Sequence, residues 1–450
     1  MLESPVRPEL LSPAGTLKAM DYAYAYGADA IYCGLPRWSL RVRNNDFDIN
    51  HLAQGLERAR SLNKQLYVAC NIAPHNSKIR TLQRDLAPVA ELKPDALIVS
   101  DPGVAMLIRE AWPELPLHLS VQANAVNYAA VKFWGKQGIS RVILSRELSL
   151  EEIEDIRTEC PEMEIEVFVH GALCIAYSGR CLLSGYMNRR DPNQGTCTNA
   201  CRWGYEIKPG EESPEGEIRA TPGLFVIEEK NRPGELMPIE EDEHGTYILN
   251  SKDLRAVHHV ERLTRAGVHS LKIEGRTKSH YYVARTAQVY RQAIDDAVAG
   301  KPFNRDLMDD LEKLANRGYT EGFLRRHVHD EYQNYQHGAS QNDLAQFVGE
   351  VLDYHPSRGV QINVKNRFVL GDTLELMTPS GRLRWQLDGL LNKSGQAIEV
   401  APGDGHKVWL PIEVPSHLQS QLELGLLSRE IPRNLAVEAS ASCGGCSAGQ

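Results

Sequence analysis

Four cysteines in the middle of the chain have the residue type and the spacing of a metal site. Six, fifteen and three residues separate successive members of the set Cys174, Cys181, Cys197 and Cys201. Four thiolates bind either a tetrahedral zinc ion or a 4Fe-4S cluster, but structural zinc usually takes two close pairs of ligands. The wide first gap and the surrounding glycines favour the 4Fe-4S cluster. A zinc site and four cysteines that only pack are the alternatives.

The segments around these cysteines predict a parallel barrel that would position them. Short apolar runs alternate with amphipathic stretches that are mostly long enough for one helix, as in repeated βα units. Eight runs qualify as strands: residues 9–15, 30–34, 65–72, 96–101, 117–125, 141–147, 165–172 and 270–275. Eight strands without a dinucleotide-binding fingerprint predict a (β/α)8 TIM-like barrel, in which catalytic groups collect at the C-terminal ends of the strands.

The chain is predicted to divide into a barrel domain, a small β domain and a tail. Residues 1–335 are assigned to the barrel, with an insertion at about 185–245 after the seventh strand. Short alternating strands between glycine and aspartate turns over 345–432 predict a small antiparallel β-barrel domain. Residues 433–450 form a Gly/Ser-rich tail that we expect to be flexible, and its Cys443 and Cys446 have no βα context for a thioredoxin-like role.

Composition indicates a globular protein, for which we expect a cytoplasmic location. The 450 residues are 42% hydrophobic and 24% charged, with no apolar run near the length of a spanning helix. The N-terminus lacks the basic start and apolar stretch of a signal peptide. The net charge of −9 excludes attraction of the whole molecule to nucleic acid, so any contact with RNA must use local basic patches.

Long sequence motifs resemble one known family. The segment EVFVHGALCIAYSGRCLLS (166–184) closely resembles the signature of the collagenase-like peptidase family. Five further segments are similar to the branch of that family that hydroxylates the wobble uridine of tRNA: LSPAG (11–15), WSLRVRNN (38–45), HLSVQANAVN (118–127), NRRDPNQGTCTNACRW (188–203) and LKIEGRTKS (271–279). The resemblance extends over nearly the whole chain. It implies prephenate-dependent formation of 5-hydroxyuridine in the anticodon loop of tRNA, with a 4Fe-4S cluster on the four cysteines.

The substrates implied by this resemblance suggest roles for polar residues near the strand ends. Prephenate carries two carboxylates, and arginine binds a carboxylate through two parallel hydrogen bonds. The residues expected to bind substrate are Arg41, Arg43, Asn44, Gln122, Asn124, Arg146 and Arg276. The residues expected to move protons are His170, Glu147 and Glu274. Each arginine could instead form a surface ion pair, and His170 could donate to the cluster sulfides or simply pack.

Contact with tRNA would need aromatic and basic side chains. A wobble base can be splayed out of its loop and stacked on a ring, for which Trp38 and Tyr177 are candidates, with core packing as the alternative. The basic candidates for phosphate contacts are Arg189, Arg190, Arg276, Lys278, Arg325 and Arg326, with His327 and His329 adjacent to the last pair. Such runs are otherwise solvated helix faces.

Two other functions stay open at this stage. A peptidase is one, but no histidine in the chain is followed by glutamate, so the common zinc-peptidase motif of two histidines one helical turn apart is absent. A non-catalytic tRNA-binding partner with a purely structural cluster is the other. Electron donors and the oligomeric state are not indicated by the residues.

Overall fold

Eight parallel strands form a closed barrel in the computed structural model, which describes residues 6–40, 46–173, 252–316, 318–325 and 344–431 and six short strands between 210 and 246. The barrel strands, in chain order, are Glu9–Pro13, Ala30–Gly34, Gln65–Cys70, Ala96–Val99, Leu117–Leu119, Arg141–Ile143, Glu164–Ala172 and Ser270–Ile273. Each of the first seven strands pairs in parallel with the next barrel strand. The insertion separates the seventh from the eighth in sequence, but these two also pair in parallel. The eighth strand also pairs with the first, which closes the barrel and confirms the predicted fold.

Six of the predicted strands extend beyond the observed ones, and the difference is largest for the fifth and sixth. The fifth strand ends at Leu119 because the Ser120 hydroxyl caps a 3-10 turn over Val121–Ala123, and Asn124 then takes a left-handed backbone with φ of +53°. The sixth strand ends at Ile143. The polar residues expected at these strand ends therefore lie in loops just beyond them, where catalytic groups of such barrels are usually carried.

Helices cover the outside of the barrel strands. Within the described part of the barrel domain, the helices are Leu17–Ala25, Ile49–Ser61, Asn76–Ile79, Leu82–Glu91, Pro102–Ala111, Tyr128–Lys136, Leu150–Glu159, Val260–Arg265, His280–Val298 and Asp306–Glu312. Several begin at a side chain that accepts a hydrogen bond from the first turn, and Ser149 and Glu152 form a reciprocal capping box. Apolar faces of these helices pack on the strands and form one continuous core.

An extra strand that the sequence analysis missed extends the sheet at the mouth of the barrel. The short strand Asp253–Arg255 pairs antiparallel with the end of the seventh strand, at His170 to Ala172. It also pairs in parallel with Tyr319–Thr320. The six short strands of the insertion are Gly210–Glu212, Ile218–Ala220, Phe225–Glu228, Leu236–Ile239, Glu241–Asp242 and Gly245–Thr246. The segment after the insertion therefore returns to the seventh strand before the eighth begins.

The second domain is an antiparallel β structure, as predicted. Its strands are Ala345–His355, Gly359–Val364, Phe368–Val369, Thr373–Thr378, Gly381–Gln386, Leu391–Asn392, Val400–Ala401, Lys407–Leu410 and Leu426–Glu430. Seven of them form one sheet that runs in series from Gly381–Gln386 to Leu391–Asn392, and a separate core of buried aliphatic side chains fills this domain.

Buried polar contacts join the two domains. The fully buried Arg285 of helix His280–Val298 forms an ion pair with Glu375, which also contacts Lys313 at 3.0 Å. The Tyr26 hydroxyl lies 2.8 Å from the Leu424 carbonyl oxygen. A buried charge is costly unless it is paired, so the second domain completes the environment of Arg285.

Within the described residues, no helix is long and apolar enough to cross a membrane.

Candidate active site

Two residues predicted for the site meet at the mouth of the barrel. Arg146 follows the sixth strand and Glu274 follows the eighth, and Arg146 Nη2 lies 3.4 Å from Glu274 Oε2. The Arg146 guanidinium also lies over the Phe168 ring, 3.9 Å from its centroid. Both charged side chains are largely buried, with exposed fractions of 11% and 14%. Stacking and ion pairing hold this guanidinium in one place at the strand ends.

Arg276 is held at the same end of the barrel by the loop after the second strand. Its Nη1 donates to the Ser39 hydroxyl at 2.6 Å, and its guanidinium lies 5.6 Å from the Tyr32 ring centroid. A Cβ built at Gly34 would overlap the same Nη1 atom, so glycine at 34 leaves the space that this side chain occupies. Ser39 is a neutral acceptor. A largely buried guanidinium at the mouth of the barrel can donate to an anionic ligand.

His170 is fully enclosed near the end of the seventh strand. Its ring is surrounded by the rings of Tyr282, Tyr290 and Tyr319, at centroid distances between 5.5 and 5.8 Å. Burial lowers the pKa of His170 to about 3, so the imidazole is neutral near pH 7. The group can accept or donate a hydrogen bond in this state, but it does not carry a positive charge.

The hydrogen bonds of Tyr290 favour one tautomer of His170. The Tyr290 hydroxyl donates to the Val169 carbonyl oxygen at 2.7 Å and lies 3.3 Å from His170 Nδ1. Because a hydroxyl has one proton, His170 Nδ1 is then the donor to the hydroxyl oxygen, and Nε2 carries the lone pair. No described residue is hydrogen-bonded to Nε2. In this tautomer Nε2 accepts, so it is unsuited to donating to cluster sulfides.

Gln122 and Asn124 belong to the 3-10 turn beyond the fifth strand. Asn124 Nδ2 donates to the Gln122 carbonyl oxygen at 3.4 Å, and the Ser120 hydroxyl accepts from Asn71 at 3.3 Å. The side-chain oxygen of Gln122 is buried and has no hydrogen-bond partner among the described residues. A buried amide oxygen without a partner costs free energy, which a bound hydrogen-bond donor would recover.

Glu147 is engaged by its own loop. The Ser145 hydroxyl donates to Glu147 Oε2, and Ser145 itself is buried. The carboxylate thus has a local partner before any substrate binds. Its expected part in proton transfer stays a prediction.

A buried charge network fills the barrel below these residues and was missed in the sequence analysis. Lys272 Nζ lies 2.7 Å from Glu166 Oε1, and Arg141 Nη1 lies between Glu166 at 3.4 Å and Glu9 at 2.6 Å. Burial lowers the pKa of Lys272, an effect that Glu166 opposes. The signal was present in the sequence, since a lysine and a glutamate interrupt otherwise apolar strands.

Other predicted residues lie outside the part of the chain that the structure describes. They are Arg41, Arg43, Asn44, Cys174, Tyr177, Cys181, Arg189, Arg190, Cys197, Cys201, Arg326, His327, His329, Cys443 and Cys446. Cys174 directly follows Leu173, which is described and buried at the C-terminal end of the seventh strand. The predictions for these residues stay predictions.

Two residues proposed for RNA contact are paired with carboxylates of the protein itself. Trp38 is 2% exposed and its Nε1 donates to Asp85 at 3.4 Å, which supports the alternative of a core aromatic over a stacking platform. Arg325 is mainly exposed, and its Nε lies 2.8 Å from Glu321. This arginine is thus partly neutralised, and it would be a weaker phosphate contact than a lone cation.

Comparisons with known proteins place these features in a family context. The model described as Peptidase family U32 matches residues 15–334, and the model described as Peptidase family U32 C-terminal domain matches residues 344–421. A protein of Escherichia coli (strain K12) named tRNA hydroxylation protein P is 60% identical over 95% of this chain and 99% of its own length. The protein of that name from Haemophilus influenzae is 57% identical over 94% of this chain and 96% of its own length. A protein of Porphyromonas gingivalis named Collagenase is 25% identical over 90% of this chain and 94% of its own length.

Proposed function

The chain belongs to peptidase family U32, and on that footing we propose that it is a tRNA-modifying enzyme that converts the wobble uridine to 5-hydroxyuridine with prephenate as co-substrate. The observation that carries the proposal is the identity of 60% and 57% with two proteins named tRNA hydroxylation protein P, over nearly the full length of each. A shared length of this extent includes both domains.

The arginines at the barrel mouth support a substrate that carries carboxylates. Arg276 is positioned by the Ser39 hydroxyl and is largely buried, and a substrate carboxylate would accept a charge-assisted hydrogen bond from its guanidinium. Arg146 is paired with Glu274 at 3.4 Å, and a second carboxylate would compete for that guanidinium. In this scheme both arginines bind substrate carboxylates, and Arg146 is shared between Glu274 and the substrate.

The uridine edge would be bound by neutral groups near the same strand ends. The side-chain oxygen of Gln122 is a buried acceptor that a uracil N–H can satisfy. His170 is neutral, and in the tautomer favoured by Tyr290 its Nε2 is an acceptor for a proton. A group of this kind can hold or take up a proton without introducing charge into the site.

Four thiols are the donor set that a 4Fe-4S cluster requires, and Cys174, Cys181, Cys197 and Cys201 would hold it. The chemical fit is supported by the sequence position of the first of them, which is two residues after the end of the seventh strand and directly after the buried Leu173. When bound, such a cluster supplies one-electron redox capacity or a rigid scaffold for the loops that carry the cysteines.

Nucleoside analysis of tRNA tests this function directly. We expect that a bacterial strain lacking its own copy of such a gene regains 5-hydroxyuridine when it expresses this chain. The gain should disappear when the same strain cannot synthesise prephenate and return when prephenate is supplied. Unchanged tRNA in the complemented strain, with the protein present and folded, would rule out the proposal.

The family description keeps peptidase activity as the alternative. It predicts cleavage of a collagen-type substrate by the purified protein, with no dependence on prephenate. Hydrolysis that survives Arg276→Ala, in a protein that leaves tRNA unmodified, would favour it.

A further inference from the structure

Two adjacent histidines and a glutamate form a cluster beside the barrel mouth that the proposed function does not use. His258 Nε2 lies 2.9 Å from Glu321 Oε1, and His259 Nε2 lies 3.0 Å from Glu321 Oε2. The three ligand atoms available from these side chains lie within 4.8 Å of one another. We propose that His258, His259 and Glu321 bind a divalent transition-metal ion.

The chemistry of the three groups matches this ligand. Two imidazole nitrogens and one carboxylate are the protein ligands of several catalytic zinc sites, and they also suit iron(II). Burial lowers the pKa of His258 to about 4 and also lowers the pKa of His259, so both rings are neutral near pH 7 and have lone pairs to donate. Burial raises the pKa of Glu321, but the hydrogen bond from His259 and the positive charge of Arg325 outweigh it and lower the pKa below its usual value, so the carboxylate is ionised.

The geometry of His258 argues against an ordinary histidine–carboxylate hydrogen bond. Its Nε2 is close to Glu321, but neither ring nitrogen has a hydrogen bond of acceptable angle to any described residue. An imidazole that is 16% exposed and lacks such bonds is unfavourable unless another partner satisfies it. Metal–ligand bonds of about 2.0–2.2 Å in a tetrahedral arrangement separate neighbouring ligand atoms by roughly 3.3–3.6 Å. An increase of about half an ångström in these two separations would therefore give the spacing of metal ligands.

The surroundings of the cluster support a site with open coordination positions. A cavity of about 300 Å³ adjoins it, lined by Lys252, Arg255, His258, Met308, Tyr319, Thr320 and Glu321. The two nearby arginines are each neutralised by a carboxylate, Arg255 by Glu312 and Arg325 by Glu321 Oε2 at 2.8 Å. Arg325 thereby orients the carboxylate, as outer residues commonly do for metal ligands. Water or a small anion could occupy the remaining positions.

The position of the cluster suggests what the ion would do. His258 and His259 follow the short strand Asp253–Arg255, and Glu321 follows Tyr319–Thr320, which pairs with it. The first of these strands pairs with the end of the seventh barrel strand at His170. A bound ion would therefore join two segments, far apart in sequence, next to the enclosure of His170.

Cobalt(II) is the probe that tests the site in the full-length protein. We expect the wild-type chain to bind one Co²⁺ whose X-ray absorption shows nitrogen and oxygen ligands, including two imidazoles, and no sulfur. His259→Gln and Glu321→Gln should each weaken this Co²⁺ binding by on the order of 100-fold, since loss of a ligand costs at least as much as loss of an outer partner. Glu159→Gln is the matched control, because Glu159 pairs with the exposed Lys132 at 3.0 Å and with none of the three proposed ligands, and it should bind Co²⁺ as wild type does.

Two results would overturn the proposal. One is Co²⁺ bound to the wild-type protein through sulfur alone, which would assign the ion to the cysteines. This measurement uses the wild-type protein only, so it does not depend on whether a variant folds. The other is equal Co²⁺ affinity in the wild type, His259→Gln and Glu321→Gln proteins, with circular dichroism showing that each is folded. Neither readout depends on tRNA modification, so failure here leaves the proposed function untouched.

Discussion

Gly171 lies directly against the backbone of Glu274, where the seventh and eighth barrel strands end side by side. A Cβ built at Gly171 would overlap the Glu274 carbonyl oxygen and come within 3.0 Å of the Glu274 Cβ. The backbone of Gly171 also has a φ of +103°, which side chains rarely adopt. Glycine at this position thus lets the strand carrying His170 approach the strand carrying Glu274 and Arg276.

Gly171→Ala should therefore damage both stability and the site. We expect a loss of about 1–3 kcal/mol in the free energy of unfolding from backbone strain alone, and a further loss from the overlap with Glu274. Denaturant unfolding and 5-hydroxyuridine content of tRNA are the measurements. Gly300→Ala is the control, since Gly300 also has a positive φ of +68° but no atom within 4 Å of its Cβ position. Equal losses in the two variants would contradict the role given to the contact.

Arg276→Lys should impair the response to prephenate more than the binding of tRNA. Lysine keeps the charge but loses the planar pair of donors from which a carboxylate accepts. The expected loss of about 1.5–3 kcal/mol corresponds to roughly a 10- to 150-fold increase in the prephenate concentration needed. The measurement is modification of tRNA as a function of added prephenate. Arg262→Lys, at an ion pair with Glu154 on the helical surface, should behave as wild type. A normal prephenate response in Arg276→Lys would remove this residue from substrate binding.

Cys181→Ala should abolish the proposed iron-sulfur cluster and the proposed modification together. A 4Fe-4S cluster that loses one of four thiolates is destabilised, so iron, sulfide and the visible absorption near about 400 nm should all fall after anaerobic purification. Cys160→Ala is the matched control, since Cys160 is buried at the end of helix Leu150–Glu159 and contacts the Tyr128 carbonyl oxygen. Full iron and sulfide content in Cys181→Ala would exclude this cysteine as a ligand.

The contact between the two domains should weaken in acid. The Arg285 and Lys313 side chains lower the pKa of the buried Glu375 from 4.5 to about 2, against the desolvation that opposes them. A carboxyl with a depressed folded-state pKa stabilises the protein above about pH 4.5 and loses that contribution as the pH falls toward 2. At 1.36 kcal/mol per pKa unit, the contribution is on the order of 3 kcal/mol.

Glu375→Gln tests this linkage. The variant should be less stable than wild type at pH 7, because Arg285 is left buried without its anionic partner, and the difference should shrink as the pH falls below 4.5. Unfolding curves at a series of pH values give the comparison, with the exposed Glu413→Gln as control. A stability difference that does not vary with pH would show that the charge of Glu375 is unimportant.

The family, the closed barrel and the antiparallel second domain could all be inferred from the sequence, because they depend on features that are local in the chain. Apolar strand segments separated by helical segments predict a parallel barrel from the order of residues alone. The long motif around the cysteines likewise identifies the family without knowledge of tertiary contacts. The same logic predicted that Arg146, Glu274 and Arg276 lie at one end of the barrel, since parallel strands all end on the same side.

What only the tertiary structure decided are the pairings between residues far apart in sequence. Glu166 and Lys272 lie in different strands, and only the pairing of those strands in the barrel brings Lys272 Nζ within 2.7 Å of Glu166 Oε1. His259 and Glu321 come together because two short strands pair beside the seventh barrel strand. Their chemistry depends on distance and burial, which the local pattern of residue types does not encode. The sequence by itself therefore predicted the architecture and supplied the four cysteines proposed as cluster ligands, while partners, protonation states and the histidine–glutamate cluster required the folded chain.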